Sequence, residues 1–430
     1  MTQKSRLIFT TILLTLILLS CSKKHKRSYP NILFILADDM GADIFDVYGG
    51  TSYNTPNIDG LAENGLTFNQ CYSAPVCSPS RVKLLTGRYG FRTGQTWGTI
   101  PENEITIGHI LKKAGYKVAI SGKWQLALLK DDPNHIKKMG FDESCVFGWH
   151  EGPRYDEPLI YQNGIIRDDV KDLYGPDVYK DFLIDFIKRN KETPFFAYYS
   201  MTLAHEISND LAIPPPVGKK GRYGTFTENI EYADKLIGEV VNTLDELNIR
   251  EKTLIFFVGD NGTPHHYITA YEDGNYIKEP VFSMVGDTLI QGGKSYLTDQ
   301  GTHVPLIINW KGKTPIGKSI NDLVDFSDFM NTIVELTGAE LPNDRIIDGQ
   351  SFAPQIIGKK GNPRNWIYQE WEGKGWIRNQ NWKLYINDTL FNMKNDPFEK
   401  NPITDHNSTE ESIKIKSYLS EELSKLKEKK

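Results

Sequence analysis

The chain has 430 residues, 39% of them apolar and 24% charged, and a net charge of −5. That length exceeds one ordinary core, so a large domain with a smaller companion is expected, and the composition excludes a disordered chain or a multi-span membrane protein. Lys4 and Arg6 are the only charges in the first twenty residues, so the remainder carries −7; such a chain has no electrostatic reason to bind nucleic acid, and an anionic ligand would need a local cationic pocket.

Lys4 and Arg6 precede an apolar run from Leu7 to Leu19, followed by Ser20 and Cys21. This is the pattern of an export signal and is too short for a comfortable membrane span. Leu18-Leu19-Ser20-Cys21 resembles a bacterial lipobox, in which the cysteine is acylated; an ordinary cleaved signal peptide is the alternative. The expectation is a lipoprotein signal peptide over 1–20, a lipid anchor at Cys21 and a basic tether over 21–30. It implies a periplasmic or outer-membrane-anchored protein that meets the membrane only through that anchor. Four cysteines are too few for a disulfide scaffold. Cys71 and Cys145 could form one bridge but read first as two buried thiols.

From Asn31 the pattern changes. Asn31–Ala37 is a continuous apolar run ending in Asp38-Asp39, and similar runs recur at Lys117–Ile120, Pro194–Tyr199, Thr253–Val258 and Pro305–Trp310. Each reads as a buried parallel strand. Between them Ile107–Ala114, Asp177–Arg189 and Asn229–Leu247 read as helices. The prediction is an α/β fold, a large, mostly parallel central sheet sandwiched by helices over residues 31–345. Ligands in such folds bind beyond the carboxyl ends of the strands. That singles out Asp38-Asp39, Ser121-Gly122-Lys123, His205 and Asp260-Asn261. After Asp348-Gly349, short strands at Trp366–Glu370, Gly375–Arg378 and Trp382–Ile386 and a charged helix at Glu410–Lys430 predict a smaller C-terminal α+β subdomain with a short antiparallel sheet over 346–430.

The strongest local signal is Cys77-Ser78-Pro79-Ser80-Arg81, continued to Thr86-Gly87-Arg88. Pro79 suits a first helical turn, so Cys77 would sit at a helix N-terminus, where backbone N–H groups favour an anion, with Arg81 one turn along. A lone cysteine is otherwise more often a buried structural residue. Cys-x-Pro-Ser-Arg followed by Thr-Gly resembles the signature of the type I sulfatases, of alkaline-phosphatase-like fold, in which the cysteine is oxidised to formylglycine by a separate maturation enzyme. Further blocks resemble that family in its order. They are Ala37-Asp38-Asp39-Met40-Gly41, Gly122-Lys123-Trp124-Gln125-Leu126, Gly259-Asp260-Asn261-Gly262 and Gly292-Gly293-Lys294 with Gly301-Thr302-His303-Val304-Pro305, then Asp348-Gly349-Gln350-Ser351-Phe352 and Leu390-Phe391-Asn392-Met393.

The resemblance implies sulfate-ester hydrolysis by a formylglycine hydrate. One hydroxyl attacks sulfur, and the other then loses its proton and expels sulfate by C–O cleavage, regenerating the aldehyde. Asp38, Asp39, Asp260 and Asn261 offer only oxygen ligands, which suit a hard cation, Ca²⁺ first and Mg²⁺ second, and not Zn²⁺. A solvated turn with a helix cap is the plain alternative for Asp38-Asp39. Arg81, Lys123 and Lys294 would neutralise the remaining sulfate charge. Lys294 is not a phosphate-loop lysine, because Thr288 stands where that loop needs glycine. His205 resembles the family histidine that protonates the leaving alcohol.

Two positions depart from the family. Gln125 stands where a histidine is frequent, and it cannot shuttle a proton near neutral pH, so either elimination is assisted by the metal and another group, or His265 or His266 compensates. His303 stands where arginine is usual before Val-Pro. Trp97, Trp149, Arg154, Tyr155, Gln125, His265 and His266 are candidates to meet substrate, although aromatic residues of this kind are more often packing. The expected substrate is a sulfated carbohydrate, with an aryl sulfate as the variant. The rivals are a phosphate- or phosphonate-ester hydrolase of the same superfold and a non-catalytic lipoprotein that binds sulfated glycans.

Overall fold

The structure, a computed structural model, describes residues 29–94, 96–206 and 224–428. The signal peptide, the Cys21 anchor and all of the tether before Tyr29 lie outside the described residues. In chain order the main sheet takes β1 (Asn31–Ala37), β2 (Leu66–Tyr72), β3 (Lys117–Gly122), β4 (Glu143–Phe147), β5 (Ile160–Gln162), β6 (Ile165–Ile166), β7 (Phe195–Ser200) and β8 (Thr253–Gly259). Two hairpins follow, from β9 (His266–Glu272) with β10 (Asn275–Pro280) and β11 (Phe282–Val285) with β12 (Thr288–Gln291). The chain then returns to the main sheet as β13 (His303–Val304), β14 (Leu306–Asn309) and β15 (Lys318–Asp325).

Across the sheet the order is β13-β2-β14-β8-β1-β7-β3-β4-β5-β6, with β15 also paired to β2. The central strands β8, β1, β7, β3 and β4 are parallel, as their uninterrupted apolar runs require. The run at 305–310 is a correction. It forms β14, buried as expected but antiparallel to both β8 and β2. The chain comes back beside β8 through hairpins rather than a crossover helix, and that connection favours an antiparallel return. The strands β2 and β15 were not legible, because polar residues such as Asn69, Gln70, Asn321 and Asp322 break their apolar pattern.

Alternation along β1 divides the core in two. Leu33, Ile35 and Ala37 face a cluster with α1 (Pro56–Glu63), and with two later helices that bury Phe182, Leu183, Leu236 and Ile237. Ile32, Phe34 and Leu36 face the other cluster, with α2 (Cys77–Thr86) and α3 (Ile107–Lys113) and with Phe329 of a further helix. The later helices are α4 (Gly175–Asn190) and α5 (Phe226–Glu246) on the first face and α6 (Asp328–Thr337) on the second. This is the two-sided cover that a parallel sheet needs. Phe34 sits at the centre of the second face, 5.3 Å from the rings of both Phe256 and Phe329.

Toward the C-terminus, β16 (Ile367–Trp371), β17 (Lys374–Arg378), β18 (Trp382–Tyr385) and β19 (Leu390–Asn392) make an antiparallel sheet in sequence order. The helix α7 (Glu410–Glu428) packs Leu419 and Leu426 onto it. A buried ion pair ties this part to the large layer. Arg364 Nε lies 2.8 Å from both carboxylate oxygens of Asp328, at the start of α6, and Nη2 donates to the Asp348 carbonyl at 2.8 Å. The Asp328 carboxylate also accepts the Asp325 and Gln350 amides. Removing one partner of a buried pair leaves an uncompensated charge, so Arg364→Met should cost about 3–5 kcal/mol. The measurement is the midpoint of chemical denaturation; an unchanged midpoint would mean that the pair does not hold the two parts together.

Candidate active site

Strand register builds the site. Ala37 of β1 pairs with Gly259 of β8, so Asp38-Asp39 and Asp260-Asn261 leave neighbouring strands at the same level. Leu36 and Gly122 both pair with Ser200 of β7, which brings Lys123 to that level too. The fourth contributor is α2. Val76 before it is extended, and Cys77 is its first helical residue. Pro79 falls within the first turn, where its missing N–H costs nothing. Cys77 Sγ and carboxylate oxygens of Asp38 and Asp260 all lie within 4.8 Å of one another, and all three residues are buried.

The charges are interlocked. Arg81, on the turn of α2 after Cys77, donates from Nε and Nη2 to Asp260 at 3.0 and 2.7 Å. Its Nη2 is 3.7 Å from Asp38. Lys123 Nζ lies 2.8 and 2.7 Å from the two oxygens of Asp38. Lys294 Nζ donates to Asp39 at 2.6 Å. The Asp39 amide donates to Asp260 at 3.1 Å, and Asp39 holds a positive φ of 60° to do so. Asn261 Nδ2 donates to Asp39 at 2.9 Å. Burial drives the Asp38 carboxyl up from its usual range, with Lys123 pulling the other way. Burial likewise pushes the Cys77 thiol up, against the pull of Lys123 and Lys294. For Lys294, burial is the largest influence and lowers basicity, but Asp39, Cys77 and Asp38 together outweigh it, and the net shift is upward.

Lys294 arrives on a loop whose two glycines serve close backbone approach. A Cβ on Gly292 would collide with the Pro264 carbonyl, and one on Gly293 with Gln300. The loop is pinned by the Lys294 amide on the Thr263 carbonyl at 3.0 Å and the Ser295 amide on the Pro75 carbonyl at 2.8 Å. Gly-Gly-Lys is therefore a packing device that delivers an amine beside Cys77.

His205 lies beyond β7, with Nε2 3.9 Å from Asp39 and Nδ1 2.5 Å from the Glu206 carbonyl. A carbonyl can only accept, so Nδ1 carries the proton of that contact and Nε2 faces the acid cluster. Burial, with Lys294, Lys123 and Arg154 nearby, pushes the imidazole well below its ordinary range. Tyr155 is buried and donates to the carbonyls of Thr202 and His205 at 2.8 and 2.6 Å, so it shapes this loop rather than a rim. Arg154 Nη1 lies 3.4 Å from His205 Nδ1, a contact between two donors that adds positive charge beside the ring. Trp149 is also packed, over Gly98 and beside His150. Trp97 is 46% exposed and is the one of these four on an open surface.

Gln125 is nearly buried, at a positive φ of 54°. Its Oε1 has no hydrogen-bond partner among the described residues. His265 and His266 contact each other, with Nδ1 atoms 2.6 Å apart, and His265 meets the Tyr296 ring. Neither hydrogen-bonds Gln125 or the Cys77 cluster among the described residues, so no compensating imidazole is in contact there. His303 stacks on Tyr72 and reaches the Asn69 carbonyl at 2.9 Å, a sheet-edge role away from the acids. Cys71 and Cys145 are separate buried thiols.

Sequence reasoning missed Ser200. It receives Arg81 Nη1 and donates to the Lys123 carbonyl, locking both cations in place. It is the polar residue closing an apolar strand, and that signal could have found it.

The residues fit a hard divalent cation. The donors of Asp38, Asp39, Asp260 and Asn261 are all oxygens, and Asn261 Oδ1 is buried with no hydrogen-bond partner among the described residues. An orphaned buried carbonyl is costly unless something electropositive meets it.

Known proteins share this organisation. A family model described as Sulfatase matches residues 30–339, and one described as N-sulphoglucosamine sulphohydrolase, C-terminal, matches residues 293–429. The chain is 33% identical to the N-acetylgalactosamine-6-sulfatase of Canis lupus familiaris over 374 residues, 79% of this chain and 68% of that protein. It is 33% identical to the enzyme of the same name from Homo sapiens over 362 residues, 76% of this chain and 66% of that protein. The chain thus spans about two thirds of the length of these relatives. The crystal structure of Ps i-CgsB in complex with k-i-k-neocarrahexaose superposes with a TM-score of 0.74 at 26% identity, covering 93% of this chain and 92% of that one. BT4656, solved with its substrate D-glucosamine-2-N,6-O-disulfate, shares the fold at a TM-score of 0.71 and 21% identity, covering 93% and 98%. The chain belongs to the sulfatase family, enzymes that hydrolyse sulfate esters.

Proposed function

We propose that this protein removes sulfate from sulfated carbohydrates, with residues 31–345 carrying the machinery and 346–430 closing one side of it. The observation that carries this reading is Cys77 at a helix N-terminus, its Sγ within 4.8 Å of buried carboxylates, with Lys123 and Lys294 paired to the adjoining acids. The relatives named N-acetylgalactosamine-6-sulfatase support a carbohydrate over a simple aryl substrate. The lipobox-like Cys21 supports export and lipid anchoring, where polysaccharide is at hand.

Asp38, Asp39, Asp260 and Asn261 would hold the cation, Ca²⁺ before Mg²⁺, and its charge would draw a sulfate oxygen and favour the ionised nucleophile. Conversion of Cys77 to an aldehyde by a maturation enzyme would supply a hydrated nucleophile with a built-in release step. The rest falls to side chains already in place. Lys123 and Lys294 take up charge on the sulfate oxygens. Arg81 holds Asp260 and, through Ser200, fixes Lys123. His205 presents Nε2 to the leaving alcohol; burial first, and then the cations around it, keep this ring neutral, and an arriving sulfate anion offsets the cations. Gln125 accepts a hydrogen bond from substrate or nucleophile at its free Oε1 and moves no proton.

In matured protein, a sulfate ester should be turned over faster than the matching phosphate ester; preference for phosphate by orders of magnitude would overturn the reading. Chelation should abolish activity, and Ca²⁺ should restore it more fully than Mg²⁺. Asn261→Ala should weaken Ca²⁺ binding, measured by calorimetry, by at least the roughly 10–100-fold typical of losing an outer-sphere partner. Lys294→Ala should lower kcat by about 10²–10³ through loss of one oxyanion-stabilising group, with the fold retained by circular dichroism.

A further inference from the structure

The chain enters β1 at the end of the sheet opposite the acid cluster. Asn31 pairs with Thr253, and Asp38 lies one strand length further on, about 23 Å at the rise of an extended chain. The approach to β1 passes the end of α6, where a Cβ on Gly338 would collide with the Tyr29 hydroxyl. The Tyr116 hydroxyl then donates to the Pro30 carbonyl at 2.9 Å. Eight residues lead from Cys21 to Tyr29, a span of at most about 29 Å.

The same end of the sheet carries a basic surface with an apolar tip. β14 runs down to Asn309 beside Ile255, and β15 starts at Lys318 beside Leu66, so the loop between them lies at the level of Asn31. The Trp310 indole N–H fastens it to the Glu251 carbonyl at 2.9 Å. From Trp310 to Ile320 the sequence has three lysines and no acid. Lys311, Lys313 and Lys318 are exposed, and Ile316 stands among them at 68% exposure. A second segment abuts this loop, since a Cβ on Gly358 would press on Pro315, and it adds exposed Ile357, Lys359 and Lys360. Glu63 and Asp245 border the surface, the latter 3.7 Å from Lys311, and Lys252 offsets Glu251. The five lysines outnumber these acids.

One exposed isoleucine needs no explanation. Here two stand among five lysines, where a tether containing Lys23-Lys24-His25-Lys26-Arg27 joins the body. That combination matches a bilayer surface, which takes methyl groups between its headgroups and lysines against its phosphates. A second copy across a two-fold axis would set these lysines against one another. A dissolved polyanion would give the isoleucines no partner.

We propose that residues 310–318 and 357–360 form a membrane-facing surface that lies on anionic phospholipid headgroups. It turns the Cys77 end of the sheet away from the bilayer and into solution. The proposal rests on the reading of Cys21 as a lipid anchor and does not depend on the sulfatase reading.

The test uses the full chain, expressed with its own leader, and places the acylated protein in vesicles of phosphatidylethanolamine and phosphatidylglycerol. Cys71, Cys77 and Cys145 are buried, so Ile316→Cys offers one site for a polarity-sensitive fluorophore. Glu372→Cys offers the comparison, on the exposed β16–β17 turn near Val76 at the Cys77 end. Emission should shift to the blue at position 316 and not at 372. Lys311→Gln, Lys313→Gln and Lys318→Gln together should abolish that shift, with turnover of a soluble sulfate ester unchanged. A shift at 372 alone, equal shifts at both positions, or none at either would overturn the surface. Absence of an acyl group on Cys21, read by mass spectrometry, would count against the anchor instead. The surface is then judged by co-sedimentation of the unacylated protein with the same vesicles. Binding that the three substitutions weaken about 100-fold, at about fivefold per lysine, supports it. No binding, or binding only to a sulfated polysaccharide, refutes it.

Discussion

The pairing of β1 with β8 places three carboxylates at the buried end of a parallel sheet, and much else in the molecule answers that constraint. Charges taken out of water are tolerated only when each is paired and hydrogen-bonded. Here Arg81 meets Asp260, Lys123 meets Asp38 and Lys294 meets Asp39. Three acids against three bases leave the cluster near neutrality. A bound divalent cation would shift it to net positive charge, the condition under which a mildly acidic protein can draw in a sulfate.

The compensating cations come from distant parts of the chain, so the cluster also fixes the fold around it. Arg81 requires α2 to lie across the strand ends, and that is what brings Cys77 to the acids. Lys123 follows from the register of β3 against β7, and Lys294 from a loop closed on Thr263 and Pro75. The helix α2 is buried throughout. Its Lys83 bonds to Asp325 and to the Tyr368 carbonyl at 2.9 Å each, so the helix that carries Cys77 also braces β15 and the C-terminal sheet.

Much of this was legible in the sequence wherever local pattern and tertiary role agree. Uninterrupted apolar runs marked β1, β3, β7 and β8, and the acids directly after two of them marked the buried acid cluster, since strand ends in such sheets converge. Cys77 at a helix start followed from Pro79. Strand direction at 306–309 was not legible, because a short apolar run carries no information about its neighbour. The strands β2 and β15 escaped because their polar residues sit toward the sheet edge. The turns Asp273-Gly274 and Gly286-Asp287 did announce the hairpins β9–β12 and went unread. Tyr155 and Trp149 were candidates for a rim, but the sequence does not distinguish an aromatic residue at a surface from one packed beneath it. Ser200, the polar residue that closes β7, offered a signal that went unread.

The chemistry assigned to this site depends on residue 77 not remaining a thiol. The direct measurement is mass spectrometry of the peptide containing Cys77, after expression with a formylglycine-generating enzyme, alongside sulfatase activity of the same preparations. The account predicts the aldehyde form at that residue and activity that rises in proportion to it. A fully active preparation in which Cys77 is still an unmodified cysteine would contradict it.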